Sequence, residues 1–140
     1  VGKRSERDRT TEAADAPNLL EPLTVDAADP ANWPVTAAGA VIAINMIHIS
    51  PWAATVGLVT GASQVLPAGG VLYLYGPFCE GGKHTAPSNA AFDESLKARN
   101  PEWGVRDLEA IVTLAAKHGL RLVARVQMPA NNLSVVFKKG

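Results

Sequence analysis

The side chains able to move a proton or orient a polar reactant stand at the ends of apolar runs. His48 comes shortly after the run Ala40-Val41-Ile42-Ala43-Ile44. An imidazole titrates near neutrality, which makes His48 the best candidate for a general base. The competing reading is a structural histidine, hydrogen-bonded ahead of a helix. Tyr75 closes a second run, Val71-Leu72-Tyr73-Leu74-Tyr75. Its hydroxyl either orients a reactant or sits at the rim of a packed ring. A further set lies in the polar stretch from Phe78 to Gly104: His84, Ser88 and Asn89, then Asn100 and Trp103, with Arg106 and Asp107 just beyond. These read as contacts to a bound molecule, or as a Trp–Arg stack or Arg–Asp pair holding the stretch down. The three histidines, His48, His84 and His118, lack ligand spacing, and Cys79 is the only cysteine. No metal site and no intramolecular disulfide are expected, and a reducing, cytoplasmic setting fits.

The elements that must position these groups follow from periodicity. Leu19 to Asp26 reads as a short edge strand, because Pro22 within it cannot donate to a ladder. Ala40 to Ile44 is continuously apolar and predicts a strand covered on both faces, as in parallel sheets. Ser50 is placed to cap a helix with Pro51 at its first position, and Trp52, Val56, Val59 and Ala62 would share its inner face. After the strand Val71 to Tyr75, the long stretch to Gly104 has the character of a lid, with a short helix over about Ser88 to Arg99. Leu108, Ile111, Val112 and Ala115 mark an amphipathic helix that Gly119 ends. Leu120 to Val126 and Leu133 to Phe137 should be antiparallel neighbours across a tight link.

Composition bounds the function classes. The chain has 140 residues, enough for one domain or part of one, and 47% of them are apolar, as in a globular protein. Thirteen basic residues balance thirteen acidic ones, so no basic excess argues for nucleic acid. The longest apolar run is too short to span a bilayer, and no membrane association is expected. Residues 1–15 are rich in charge and poor in apolar groups, and read as a flexible tail ahead of a domain over 16–140. Val1 in place of Met suggests an alternative start, processing or a fragment.

Five motifs then appear in order: Asn45-Met46-Ile47-His48-Ile49-Ser50-Pro51-Trp52, Leu74-Tyr75-Gly76-Pro77-Phe78, Ser88-Asn89-Ala90-Ala91-Phe92-Asp93, Arg99 to Asp107, and Met128-Pro129-Ala130-Asn131-Asn132. Together, over roughly Pro17 to Gly140, they resemble the domain-of-unknown-function 938 family of class I S-adenosylmethionine-dependent methyltransferase-like proteins. The resemblance implies an α/β fold, the C-terminal part of a Rossmann-like class I methyltransferase sheet, with parallel strands and an antiparallel last strand. It implies S-adenosylmethionine as cofactor, with Asp26, Asn45 and Met46 on the cofactor side and His48 and Tyr75 as catalytic candidates. His84, Ser88, Asn89, Asn100, Trp103 and Arg106 would form the substrate side and lid, and the acceptor would be a small molecule. The family's sheet order, 3-2-1-4-5-7-6, puts two strands between Leu20–Asp26 and Ala40–Ile44. Neither these strands nor the family's glycine-rich cofactor loop is found in the sequence. Ala40–Ile44 would then expose an edge, which predicts self-association, and a non-catalytic fragment acting through a partner is the alternative function.

Overall fold

The computed structural model describes residues 17–140, and the charged segment expected as a tail lies outside them. The described residues form β1 (Ala40–Ile44), α1 (Trp52–Val65), β2 (Val71–Gly76), β3 (Cys79–Glu80), β4 (Lys83–His84), α2 (Pro87–Arg99), α3 (Leu108–Lys117), β5 (Leu120–Met128) and β6 (Asn132–Lys139). β1, β2, β6 and β5 make one sheet in that order, while β3 and β4 form a separate hairpin. β1 and β2 are parallel, and β6 runs antiparallel to both β2 and β5. The expected mixed sheet with an antiparallel final strand is thus present. No helix among the described residues is long and apolar enough to cross a membrane.

Among the described residues, one face of the sheet carries the core, and the other is only partly covered. Register places Val41, Leu72 and Phe137 in one row and Ala43, Leu74 and Val135 in the next. These rows meet Leu58, Val59, Ala62, Ile111 and Ala115 from α1 and α3 to form the core. The other face carries Ile42, Tyr73 and Val136, then Ile44, Tyr75 and Ser134. Tyr73 and Ser134 share a 2.6 Å hydrogen bond there. The expectation that β1 is covered on both faces is therefore wrong: Ile42 is 63% and Ile44 51% exposed. An uninterrupted β-branched run signals strand, but the number of layers packed on it is a tertiary property.

Two other local expectations fail for physical reasons. Leu19 to Asp26 is not a strand; it runs as irregular chain with Leu20 84% exposed. A strand needs a partner for its backbone groups, and none lies beside this segment among the described residues. Ser50 does not cap α1. Its hydroxyl donates to the Met46 carbonyl instead, and Pro51 occupies the cap position. The buried face of α1 is set by Ala54, Thr55, Leu58, Val59 and Ala62, leaving Trp52 outside. By contrast, α3 buries Leu108, Ile111 and Ala115 as its spacing predicts, and Gly119 follows it with φ +74°.

The segment ahead of β1 is seated on α1 by absent side chains. A Cβ on Gly57 would run into the Ala27 carbonyl, and one on Gly61 into the Trp33 ring. The two glycines, one turn apart, open a groove in which residues 27–33 lie. Trp33 Nε1 donates to the Asp26 carbonyl at 2.9 Å, closing the segment on itself.

Candidate functional site

The turn after β1 is the centre of the site. Asn45 has φ +53°, a left-handed conformation uncommon for a side-chain-bearing residue, and its N–H donates to the Tyr75 carbonyl at 2.9 Å. A short 3₁₀ turn, Ile47–Ile49, then carries His48 inward, where it is 3% exposed. Gly76 at the end of β2 lets this happen. A Cβ there would lie 3.2 Å from His48 Cε1 and 3.3 Å from Asn45 Oδ1. His48 Nδ1 is buried without a hydrogen-bond partner. Burial first, and the Arg106 charge second, hold its pKa below the ordinary 6.5. At neutral pH the ring is thus uncharged and able to accept a proton.

The backbone around His48 is clamped from outside. Gly104 N–H donates to the His48 carbonyl at 3.0 Å. Arg106 donates to the Ser50 carbonyl at 2.8 Å, to the Glu102 carbonyl at 2.8 Å and to the Ile47 carbonyl at 3.4 Å. Its guanidinium lies 5.7 Å from the Trp52 ring centroid. The sequence reading put Arg106 on the substrate side; it braces the turn that presents His48.

A cavity of about 560 Å³ opens beside this turn, lined by Asn45, His48, Ile49, Pro77, Ser88, Asn89, Phe92 and residues 130–132. Four of the expected residues, Asn45, His48, Ser88 and Asn89, therefore meet in one place. Asn89 is 6% exposed and donates to Thr85 Oγ1 and to the Asn131 carbonyl at 3.1 Å. Asn131 Nδ2 donates to Ser88 Oγ at 3.4 Å, and Asn132 Nδ2 reaches the Tyr75 hydroxyl at 3.4 Å. Tyr75 is thus tied to the cavity wall through Asn132. Sequence reasoning treated residues 131–132 as a turn and passed over Phe92, which meets His48 edge-on at 5.7 Å. Both belong to the motifs quoted above, and their ordered recurrence was the available signal.

The remaining candidates lie elsewhere. Trp103 stacks with Arg99, at 5.6 Å, and Asn100 Oδ1 accepts the Glu102 N–H at 2.9 Å. Both therefore organise the chain after α2. His84 bridges Cys79 Sγ, 3.3 Å from its Nδ1, and Asp93 Oδ2, 3.4 Å from its Nε2. Asp93 also pairs with Lys97 at 2.8 Å and accepts the Val105 N–H at 2.8 Å. This chain of contacts latches the β3–β4 hairpin to α2.

Asp26 and Met46 line a different, larger cavity of about 730 Å³, between the 25–35 segment, β1 and α1. Its walls are mainly Ala, Val, Trp33 and Pro34, with Ser50 near Met46. Asp26 Oδ1 accepts the Ala28 N–H at 3.0 Å. A carboxylate at the rim of an apolar cleft suits a flat base bearing an amino group, so these residues fit the adenosine part of S-adenosylmethionine. The two cavities flank the same turn, since Asn45 and Ile49 face one and Met46 and Ser50 the other.

Solved structures share the fold. An O-methyltransferase family protein from Burkholderia thailandensis superposes with TM-score 0.81 at 15% identity, covering 96% of this chain and 40% of its own. Human N-acetylserotonin methyltransferase, solved with S-adenosylmethionine, gives 0.69 at 14% identity over 80% of this chain and 32% of its own. A pericyclic reaction enzyme gives 0.73 at 18% identity over 95% and 34%. The chain thus spans about two fifths or less of the length of these proteins, and what it shares with them is a fold that hosts more than one chemistry. Residues 4–139 match the family described as "Protein of unknown function (DUF938)", and the chain, a methyltransferase-like α/β unit, belongs to that family.

Proposed function

We propose that the chain is the acceptor-side part of an S-adenosylmethionine-dependent methyltransferase acting on a small molecule. The observation that carries this reading is His48: buried, its pKa held below the ordinary value by that burial, and set in the wall of a ligand-sized cavity at the carboxyl end of β1. When bound, the cofactor supplies an electrophilic methyl group already activated by its sulfonium. The protein then has to hold the acceptor in line, take its proton and exclude water. His48 takes the proton. Tyr75 and Asn132 orient the acceptor, Ser88 and Asn89 close the cavity from α2, and Asn45 stands at the junction with the cofactor side. Asp26 and Met46 serve the cofactor. The single cysteine keeps the cytoplasm as the proposed location.

The test is calorimetric titration with S-adenosylhomocysteine, checked by thermal shift. Micromolar binding that is lost in Asp26→Ala or Asn45→Ala supports the reading. A folded chain that gives neither heat nor shift favours the second reading, a non-catalytic unit that works through association. That reading has its own observation, the outer edge of β1, which no strand covers among the described residues.

A further inference from the structure

The smaller cavity also indicates what kind of acceptor it takes. No Asp, Glu, Lys or Arg lines it. Its polar lining is neutral: the carboxamides of Asn45, Asn89, Asn131 and Asn132, the Ser88 hydroxyl and the His48 imidazole. Several amide hydrogens are committed within the wall, Asn89 to Thr85 and the Asn131 carbonyl, Asn131 to Ser88 and Asn132 to Tyr75, and a carboxamide oxygen can accept from a neutral hydroxyl or amide. Carboxamides cannot neutralise a carboxylate or an ammonium, which loses its water on entering and finds no opposite charge. Arg106, whose charge acts on His48, is turned toward the carbonyls of Ile47, Ser50 and Glu102. The apolar lining is Ile49, Pro77, Phe92 and Ala130. Phe92 packs T-shaped against His48 and is 38% exposed, so the wall presents aromatic surface against which a flat ring can pack.

We infer that the cavity takes an uncharged aromatic acceptor whose reacting group is a ring hydroxyl. This rests on the methyltransferase reading only for the transfer itself. A phenol, with a pKa of about 10, is within reach of an imidazole base, whereas an aliphatic alcohol is a far weaker acid. In the transfer the acceptor oxygen gains the methyl group and the carbon–sulfur bond breaks with its electron pair on sulfur. The phenolic proton passes to His48 and then to water, so a neutral acceptor leaves as a neutral ether.

The experiment is an NMR titration of the ¹⁵N-labelled chain with three ring-matched probes: 4-hydroxybenzamide, 4-hydroxybenzoate and tyramine. The amide should bind at least about tenfold more tightly than either charged probe, shifting the side-chain signals of Asn45, Asn89 and Asn131. Equal or tighter binding of benzoate or tyramine, shifts confined to other residues, or no binding by any probe overturns the inference. Asn131→Asp provides a second arm. The residue is exposed and has φ +61°, which aspartate tolerates, so the variant should fold. It should move the preference toward tyramine, and an unchanged order counts against this cavity. Adding S-adenosylmethionine separates the two claims. Amide binding without transfer keeps the cavity's preference and sinks the methyltransferase reading. Transfer to tyramine or benzoate but not to the amide does the reverse.

Discussion

His48 and Asp93 are buried ionisable groups whose contributions to stability are both lost on acidification, in different pH ranges. The His48 pKa falls on folding, so the unfolded chain binds more protons than the native one just below 6.5. Its contribution to stability is complete above that value and is lost as the pH drops below it. The melting temperature should fall between about pH 7.5 and about pH 5.5, and His48→Gln should narrow that gap. An unchanged gap in the variant would place the titrating group elsewhere. Burial pushes the Asp93 carboxyl up, but the Lys97 hydrogen bond and the Val105 N–H outweigh it, so its net pKa lies below the ordinary 3.8. The Asp93 contribution is therefore present above 3.8 and lost as the pH falls through the lower native value. Asp93→Leu leaves the Val105 N–H without its acceptor and frees His84 and Lys97. Urea denaturation should show a loss of about 1–3 kcal/mol, and a smaller one for Asp93→Asn, whose amide oxygen can still accept from Val105.

At the scale of elements, small residues decide whether the two cavities exist. The larger one depends on the 25–35 segment lying against α1, and that contact depends on Gly57 and Gly61. Gly57→Ala sets a methyl group against backbone that cannot rotate away. It should cost about 1–3 kcal/mol and free Trp33, seen as a red-shifted fluorescence in a Trp52→Phe, Trp103→Phe background. Gly39→Ala is the matched control, since a Cβ there meets nothing within 4 Å. Equal effects at the two positions would mean that the groove does not seat the segment. The smaller cavity depends on α2 and the link between β5 and β6 meeting at Asn89 and Asn131, with both Ala130 and Asn131 at φ +61°. The β3–β4 hairpin is anchored separately, by Glu80 to Arg125 and by the Gly81 N–H to Glu109 at 2.7 Å.

At the scale of the whole molecule, the outstanding feature is the uncovered edge of the sheet. β1 has no neighbour beyond it among the described residues, its five residues carry no charge or proline, and Ile42 and Ile44 face outward. Edges of that kind pair with other chains unless something blocks them. Size-exclusion chromatography with light scattering should show concentration-dependent association. Ile42→Lys and Ile44→Lys should move the chain toward monomer without lowering its melting temperature by more than a few degrees. A parent chain that is monomeric at all concentrations, with a cooperative melt, would remove the edge argument.

Much of this architecture is set by local chemistry. The runs Ala40–Ile44 and Val71–Tyr75, the stripe Leu108, Ile111, Ala115 and the glycine at 119 specify their elements through spacing alone, because each pattern suits one backbone geometry. Asn45, His48, Ser88 and Asn89 were likewise recognisable as polar groups at element ends or in a lid. Tertiary structure decided the rest. Leu19–Asp26 has strand-like residues, but a strand exists only where a partner accepts its backbone hydrogen bonds. Ser50 has a capping side chain, but the nearer Met46 carbonyl takes its hydroxyl. That Arg106 braces the His48 turn and that Asn131 and Asn132 wall the cavity depend on contacts between residues dozens of positions apart. Sequence spacing carries no information about such contacts; packing alone brings those side chains within hydrogen-bonding distance.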